Sequence, residues 1–368
     1  MIPVCEPHIS EHDIALVNDA LKSGWISSSG KYLDLFEERW AAYCGMQHGI
    51  AVSNGSSALD IAVALLDLQA GDEVIMPTFT IISPAQSVIR AGGLPVLVDS
   101  DPITWQMDVT QIEGEITPRS RAILVVHIYG HPADMEPVMA LAEKYGLTVI
   151  EDAAEVHGAE YRGKRCGGIG DISAFSFYAN KLVTTGEGGM VLVRSREHAT
   201  RARSLRNLCF QPDRRFYHES LGYNYRMTNV QAAIGVGQIE RIEETVFRKS
   251  EIAHLYTAAF SDIPAIQLPT EMSWAKNVYW VYGIVLGDER GADAVQVMSQ
   301  LRSRGIETRP FFLGMHEQPV FQHMGLFCGE HYPVAERLAR KGFYIPNGLA
   351  LTDEEIASVV DAVRGCLA

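Results

Sequence analysis

The sequence predicts an α/β fold in which a large domain, built on a mostly parallel sheet flanked by helices, precedes a smaller α+β domain. Apolar runs such as "LPVLVDS" and "RAILVVHIYG" are continuous rather than alternating, and helical segments separate them. Such runs are typical of parallel strands that helices cover on both faces. A length of 368 residues suits two domains. The pattern of predicted strands and helices changes after a long helical stretch, so we expect domains 1–245 and 246–368.

Helices open the chain. Ser10 is a candidate N-cap, and Ile14, Val17 and Leu21 follow at helical spacing, so a helix is predicted over residues 10–22. A polar loop bounded by glycines, "GWISSSG", comes next. The second predicted helix, "KYLDLFEERWAAYCG", is closed by Gly45.

Strands and helices then alternate through the rest of the large domain. A strand, a tight turn and a helix are predicted in "HGIAVSNGSSALDIAVALLDL". The further predicted strands are "DEVIMPT", "LPVLVDS", "RAILVVHIYG", "LTVIEDAAEVHG", "DISAFSFYA" and "GGMVLVRS", and the helices between them are "IISPAQSVIRAG" and "DMEPVMALAEKYG". One long helical region is predicted from Tyr225 to Phe260, capped by Thr228 or Asn229. From "VYWVYGIVL" onward, strand and helix alternate as in a small α+β domain.

Composition narrows the possible functions. The formal charge is −14, from 31 basic and 45 acidic side chains, and no block of Lys and Arg interrupts it, so we expect no nucleic-acid partner. No apolar run reaches the roughly 18 residues of a membrane span. The N-terminus lacks the basic start and apolar stretch of a signal peptide. We therefore expect a cytoplasmic protein with no membrane partner.

Motifs for metals and nucleotides are missing from the sequence. The six cysteines form no C-x-x-C pair, and the histidine pairs His8/His12 and His127/His131 carry no H-E-x-x-H pattern, so no metal site is expected. Neither G-x-x-x-x-G-K-[ST] nor a G-x-G-x-x-G that follows a strand occurs. Their absence weakens interpretations of the chain as a kinase or an NAD-dependent dehydrogenase.

Three other features suggest one chemistry. Asp152 ends an apolar strand, where ligands of open α/β sheets bind, although a buried structural aspartate or an N-cap would look the same. In "SNGSSA", Ser56 and Ser57 begin a helix whose N–H groups could hold a phosphate, or they are an ordinary cap. Lys181, between an apolar strand and a glycine-rich turn, could be a reactive amine or a structural lysine.

Together these features fit pyridoxal phosphate. That cofactor needs a lysine for its Schiff base, a carboxylate for its pyridinium nitrogen and a cradle for its phosphate. Ser176 adds a hydroxyl five residues before Lys181. The 29 residues from Asp152 to Lys181 span short strands and their connections, so both side chains could reach one cleft.

The sequence resembles the DegT/DnrJ/EryC1/StrS aminotransferases, which act on nucleotide-linked keto-sugars. The segments that carry the resemblance run in family order over nearly the whole chain: "GWISSSGKYLDLFEERWAAYCG", "VSNGSSALDIA", "GDEVIMPTFT", "VHIYGHPADM", "VIEDAAEVHGAEYRGKRCGGIGDISAFSFYANKLVTTGEGGM", "GYNYRMTNVQAAIG" and "IETRPFF". The resemblance implies the aspartate-aminotransferase type I fold and a homodimer with active sites at the subunit interface.

The resemblance also implies roles for individual residues. Lys181 matches the Schiff-base lysine, and Asp152 matches the partner of the pyridinium nitrogen. Glu155 lies where the family places Gln, Glu or His near the cofactor's phenolic oxygen. The implied phosphate ligands are Ser56, Ser57, Ser176 and, from the neighbouring subunit, Asn229.

Two positions distinguish this chain within the family. Many relatives carry an aromatic residue that covers the pyridine ring where this chain has Ile81, so stacking is weaker here or Phe79 supplies it. Sugar dehydratases of the family have histidine where this chain has Lys181, which favours transamination over deoxygenation.

The expected substrate is a nucleotide-linked 4-keto-6-deoxy sugar. Among such sugars, the family motifs of this chain most favour GDP-4-keto-6-deoxymannose, aminated at C4 with glutamate as donor. The alternative substrate is a keto-sugar linked to dTDP or UDP. The alternative function is that of a non-catalytic regulatory relative. Four residues are candidate substrate contacts: Trp25, Ser27, Arg309 and His316. The simpler alternatives are packing for Trp25, a surface ion pair for Arg309 and a satisfied polar side chain for His316.

Overall fold

The computed structural model describes residues 1–211, 213–214 and 216–367. Its strands are β1 (His48–Val52), β2 (Glu73–Pro77), β3 (Leu94–Val98), β4 (Ser120–Val126), β5 (Thr148–Asp152), β6 (Glu160–Tyr161), β7 (Lys164–Arg165), β8 (Ile172–Ser176), β9 (Gly189–Val193), β10 (Ile266–Gln267), β11 (Ala275–Lys276), β12 (Tyr282–Leu286), β13 (Arg309–Pro310) and β14 (Gly342–Ile345).

Helices cover both the sheet and the C-terminal part of the chain. They are α1 (Glu11–Ser23), α2 (Lys31–Cys44), α3 (Gly55–Ala64), α4 (Ser83–Arg90), α5 (Met135–Tyr145), α6 (Arg196–Arg206), α7 (Asn229–Glu240), α8 (Ile242–Phe260), α9 (Ala294–Ser303), α10 (Pro319–His323), α11 (Pro333–Lys341) and α12 (Asp353–Leu367). Within the described ranges, each helix is too short or too polar to cross a bilayer.

The main sheet is mostly parallel, as predicted. It has seven strands in the order β1-β9-β8-β5-β4-β2-β3. The pairings of β2 with β3, β2 with β4, β4 with β5, and β5 with β8 are parallel, whereas β9 is antiparallel to both β1 and β8. Since β5 and β8 are parallel neighbours, their last residues, Asp152 and Ser176, lie at the same edge of the sheet.

A second, antiparallel sheet forms in the C-terminal part, in the order β10-β12-β14-β13. It packs with α8, α9 and α12 around a separate hydrophobic cluster, in which Tyr256, Tyr282 and Phe343 are fully buried. The predicted boundary at residue 245 falls inside α8: Val246 packs with the first cluster and Ile252 with the second. The division into domains 1–245 and 246–368 stays a prediction.

The prediction of one continuous helical region from Tyr225 to Phe260 is wrong, because the chain forms two helices, α7 and α8, that are separated at Arg241. Thr228 caps α7 with a capping box, as one of the two expected alternatives, but the backbone leaves helical geometry at Arg241, with φ −119° and ψ 19°. The Arg241 guanidinium donates to Asp13 Oδ2 at 2.7 Å and to the carbonyl of His8 at 2.6 Å. The break therefore accompanies contacts to the N-terminal segment, which no local pattern reveals.

A buried carboxylate organises the loop beneath the sheet edge. Glu151 is fully buried, and its oxygens accept backbone N–H groups of Gly167, Ile169 and Gly170 at 2.7 to 2.8 Å. His127 Nε2 lies 3.0 Å from Glu151, and because His127 Nδ1 accepts the Ala133 N–H, Nε2 carries the hydrogen. Burial raises the pKa of Glu151, but these hydrogen bonds outweigh it and hold that pKa below its ordinary value.

We expect Glu151→Leu to destabilise the fold by about 3–5 kcal/mol, because it leaves several buried hydrogen-bonding groups without a partner. Urea unfolding measures the loss. Since the folded-state pKa is lowered, the contribution of Glu151 is present above the unfolded-state pKa and is lost as pH falls through the folded-state pKa. The stability gap between wild type and Glu151→Gln should therefore narrow at acid pH.

The matched control is Glu113→Gln, which removes an exposed carboxylate paired with Lys144. It should leave the urea midpoint unchanged. Equal midpoints for wild type and Glu151→Leu would show that the hydrogen bonds to Glu151 do not organise the loop.

Candidate active site

A cavity of about 500 Å³ opens at the carboxyl edge of the main sheet, between that edge and residues of the C-terminal part. Six residues that the sequence singled out line it together: Ser56, Ile81, Asp152, Glu155, Ser176 and Lys181. They come from α3, the loop after β2, the end of β5 and its following loop, and the end of β8 with its following turn. The parallel topology therefore brings together residues that lie as far as 125 positions apart in sequence, from 56 to 181.

Lys181 occupies a tight turn after β8. Its N–H donates to the Tyr178 carbonyl at 2.9 Å, and its side chain is 10% exposed. The amine Nζ lies 3.8 Å from Glu155 Oε1 and 3.6 Å from the centroid of the Trp280 ring. Burial lowers the pKa of Lys181, and the charges of Glu155 and Asp152 oppose that shift. A buried lysine of this kind has access to its neutral, nucleophilic form.

Two glycines after Lys181 are required for different reasons: Gly189 by the close approach of another backbone segment and Gly186 by its own backbone conformation. A Cβ on Gly189 would lie 2.3 Å from the carbonyl oxygen of Asn54, the residue that caps α3. Gly186 has φ +80°, which lies in the left-handed region. The turn can therefore return the chain into β9 directly against the start of α3.

Asp152 presents a carboxylate to the cavity from the end of β5. Oδ1 accepts the Ala154 N–H at 3.1 Å, and within the described part of the chain no group donates to Oδ2. Burial raises the pKa of Asp152, opposed by the Ala154 N–H and by the nearby charge of Lys181. A buried carboxylate with a vacant acceptor is suited to an N–H donor on a bound ring.

Glu155 faces Lys181 from the loop after β5. Its Oε2 accepts the N–H of Tyr129 at 2.8 Å, and its side chain is 8% exposed. Burial raises the pKa of Glu155, opposed mainly by Lys181. Tyr129 has φ +59°, an unfavourable conformation for a non-glycine residue. This strained backbone places its N–H on Glu155, so the position of Glu155 depends on the β4 loop.

The N-terminus of α3 forms a cradle beside Lys181. Asn54 caps the helix by accepting the Ser57 N–H, and Ser56 Oγ lies 2.9 Å from Ser83 Oγ. A Cβ on Gly55 would lie 2.7 Å from Ser176 Cβ, so glycine is needed for Ser176 to approach the helix end. Hydroxyls and free N–H groups at a helix N-terminus suit a phosphate.

Ser57 is the exception among the predicted cradle residues. It is buried, its Oγ lies 3.0 Å from Ser53 Oγ, and it does not line the cavity. Its predicted contact with phosphate stays a prediction that the cavity lining does not support.

Ile81 lines the cavity with 47% of its surface exposed. Phe79, the alternative stacking residue, is fully buried and packs against Tyr129, Phe311 and Phe312. Phe79 therefore does not present a ring to the cavity, and of the two sequence-based alternatives the structure favours weaker stacking by Ile81.

Asn229, Trp25 and Ser27 form a cluster of their own and do not line this cavity. The Asn229 amide donates to the Trp25 carbonyl at 2.6 Å and accepts the N–H groups of Tyr32 and Leu33, while the Asn229 N–H donates to the Ser27 carbonyl at 2.6 Å. The Trp25 ring is 61% exposed. In one subunit these residues do not meet the other predicted site residues.

Arg309 and His316 also lie outside the cavity lining. Arg309 pairs with Glu307 at 2.7 Å and lines a separate cavity of about 440 Å³. His316 is buried, with Nδ1 2.8 Å from Thr78 Oγ1 and Nε2 3.3 Å from Glu336. Their predicted contacts with substrate stay predictions.

Sequence reasoning missed much of the cavity wall. The missed lining residues include Tyr178, Asn180, Glu187, Trp280, Phe312 and Tyr344. Tyr178 and Asn180 could have been proposed from their closeness to Lys181 in sequence. No sequence signal marks Trp280 or Tyr344, because each lies in an apolar segment that is typical of a small-domain strand.

The cavity fits pyridoxal phosphate: a buried amine and carboxylate face it, and a helix N-terminus with two hydroxyls lies beside them. Fold and site together define the class of pyridoxal-phosphate-dependent aminotransferases. More particularly, the chain belongs to the DegT/DnrJ/EryC1/StrS aminotransferase family, whose model matches residues 7–364.

Relatives match over nearly the whole length. GDP-perosamine synthase of Caulobacter vibrioides is 39% identical over 363 residues, which cover 98% of this chain and 97% of that protein. The GDP-perosamine synthase of Escherichia coli O157:H7 is 38% identical over 363 residues, covering 99% and 98%.

Solved structures confirm the predicted fold. The aminotransferase TlmJ from Streptoalloteichus hindustanus superposes with a TM-score of 0.93 at 29% identity, covering 100% of this chain and 99% of that one. DesV of S. venezuelae, solved with a ketimine intermediate, has a TM-score of 0.88 at 34% identity and covers 96% and 93%.

We expect Gly55→Ala to weaken the binding of pyridoxal phosphate by about tenfold or more, because the added methyl group pushes Ser176 away from the end of α3. Titration of cofactor-free protein, followed by absorbance, measures the affinity. Gly114→Ala is the control, since a Cβ there meets no atom within 4 Å. Unchanged affinity in Gly55→Ala would contradict a cradle at this helix end.

Proposed function

We propose that this chain transfers an amino group from an amino acid to the C4 ketone of a GDP-linked 4-keto-6-deoxy sugar, with GDP-4-keto-6-deoxymannose as substrate and GDP-perosamine as product. One observation carries the proposal: Lys181, Asp152 and Glu155 line one cavity in a chain similar over nearly its full length to GDP-perosamine synthases. The same residues suit a chain that catalyses, rather than one that only regulates.

Lys181 is the proposed catalytic residue. Pyridoxal phosphate, when bound, supplies an electron-accepting ring that carries the amino group from donor to ketone. Lys181 Nζ removes the proton from the donor Cα and returns a proton to the sugar carbon in the second half of the reaction. Its burial, which lowers its pKa, favours the neutral amine that removes the proton.

The neighbouring residues hold the cofactor in place. Asp152 accepts the ring N–H and keeps that nitrogen protonated, so that the ring remains an electron acceptor. Ser56, Ser176 and the free N–H groups of α3 bind the phosphate. Glu155 lies on the Lys181 side of the cavity, where it orients the amine and contacts the phenolic oxygen.

The remaining predicted contacts belong to the proposed homodimer. Asn229, Trp25 and Ser27 form one hydrogen-bonded cluster, and none of the three lines the cavity of its own subunit. A second subunit would place this cluster at its neighbour's cavity, where Asn229 reaches the phosphate and the loop borders the sugar. Arg309 and His316 are proposed as substrate contacts because of the same family resemblance. That resemblance also supports glutamate as the amino donor and the cytoplasm as the location.

Lys181→Ala should lower amination at least about 10²- to 10⁴-fold, because no other amine in the cavity can move the proton. Mass spectrometry of the sugar nucleotide measures product, and the absorbance of the bound cofactor reports loss of the Schiff base. Lys144→Ala, which removes an exposed lysine, is the control. Full turnover by Lys181→Ala would overturn the proposed mechanism.

The purified protein with glutamate should aminate GDP-4-keto-6-deoxymannose at least about tenfold faster, as kcat/KM, than the dTDP- or UDP-linked 4-keto-6-deoxy sugars. Product masses from parallel reactions distinguish the three nucleotides. Preference for dTDP or UDP would retain the aminotransferase mechanism and replace the substrate. Absence of product from all three, with cofactor bound, would contradict the proposal.

A further inference from the structure

Trp280 closes the cavity above the lysine. Its ring centroid lies 3.6 Å from Lys181 Nζ, closer than Glu155 Oε1 at 3.8 Å. The indole Nε1–H donates to the carbonyl of Asn180 at 2.9 Å. Asn180 directly precedes Lys181 in the turn, so a single side chain contacts both the amine and the backbone that carries it.

The Trp280 backbone is held on two sides. Its carbonyl accepts Lys249 Nζ at 2.8 Å, and the same buried amine donates to the carbonyl of Asn347. On the other side, a Cβ on Gly130 would lie 2.6 Å from Trp280 N, and the Gly130 carbonyl accepts the Val278 N–H at 3.1 Å. These contacts join the β4 loop, α8 and the segment before β12, so the backbone that carries the indole cannot shift without breaking buried hydrogen bonds.

A lysine that takes up a proton and gives it back needs both of its protonation states to be accessible near the working pH. Burial favours the neutral amine. A tryptophan face attracts an ammonium group through the ring quadrupole, and tryptophan is the strongest of the aromatic residues in this respect. Unlike a carboxylate, the ring cannot take the proton itself.

We propose that Trp280 is a positioning residue for Lys181: its ring face receives the amine whenever that amine is free, and its indole N–H fixes the turn at Asn180. The inference rests on the proposed function only in taking Lys181 as the catalytic amine. Trp280 belongs to the C-terminal part of the chain, and folding brings it to the carboxyl edge of the main sheet, where it acts on the proton transfer by Lys181.

The test uses full-length, cofactor-free protein and an amine-directed acylating reagent. The extent of modification of Lys181 is followed against pH by mass spectrometry of its peptide, with the exposed Lys144 as internal reference. Besides Trp280, the described groups that face Lys181 and bear on its titration are Glu155, Asp152 and His157. All three are unchanged in the variants.

Two variants of Trp280 and one control variant test whether the aromatic face raises the pKa of Lys181. Trp280→Leu keeps an apolar side chain near the amine but removes the aromatic face, so the midpoint of Lys181 modification should fall by about 0.5 to 1.5 pH units. Trp280→Phe retains a weaker face and should shift the midpoint less, in the same direction. Trp274→Leu is the matched control, since that ring contacts His131 and Tyr161 and does not line the cavity. Its midpoint should equal that of wild type.

An unchanged midpoint in Trp280→Leu, with a wild-type circular dichroism spectrum, would overturn the inference. Should Trp280→Leu fail to fold, Trp280→Phe decides: a lower midpoint supports the role and an equal one refutes it. The experiment needs no sugar nucleotide, so its result is independent of the substrate. Failure here would therefore leave the proposed amination intact, and failure of the amination assay would leave this result standing.

Discussion

The removal of one amine from water is the constraint on which the rest of this site depends. Lys181 is 10% exposed, and desolvation of that kind favours the neutral amine over the ammonium ion. Two carboxylates and one aromatic face surround it, and each stabilises the charged form. The proton transfers proposed for Lys181 require this balance, because a fully charged lysine could not accept a proton and a permanently neutral one could not return it.

The backbone around the lysine is arranged to make that burial possible. Parallel pairing of β5 with β8 puts Asp152 and Ser176 at one edge. Gly55 then allows α3 to approach Ser176 at the end of β8, and Gly189 allows β9 to approach the cap of α3, in each case more closely than a side chain would permit. Behind the edge, Glu151 ties the 167–170 loop to His127. The N-terminus of α3 and the buried amine of Lys181 therefore share one closely packed framework, in which small changes of backbone position would disturb both.

Several elements were predictable from local pattern because their causes are local. The N-cap at Ser10, the end of α2 at Gly45 and the apolar run that ends at Asp152 lie where they were expected. The break at Arg241 was not predictable, since it accompanies contacts with His8 and Asp13 more than 200 residues away. Phe79 and Ser57 also carried the right chemistry for the site, yet both are buried and neither lines the cavity.

The sequence by itself determined the alternation of strands and helices in the first part of the chain, the mostly parallel sheet and the candidate residues for holding pyridoxal phosphate. These follow from hydrophobic period, caps and residue type, which act over a few positions. Only the tertiary structure decided which of those residues share a cavity and what covers it. Trp280 shows why: its contact with Lys181 joins residues 99 positions apart. The free energy of such a contact depends on how two parts of the chain pack, and no local pattern in the sequence records that packing.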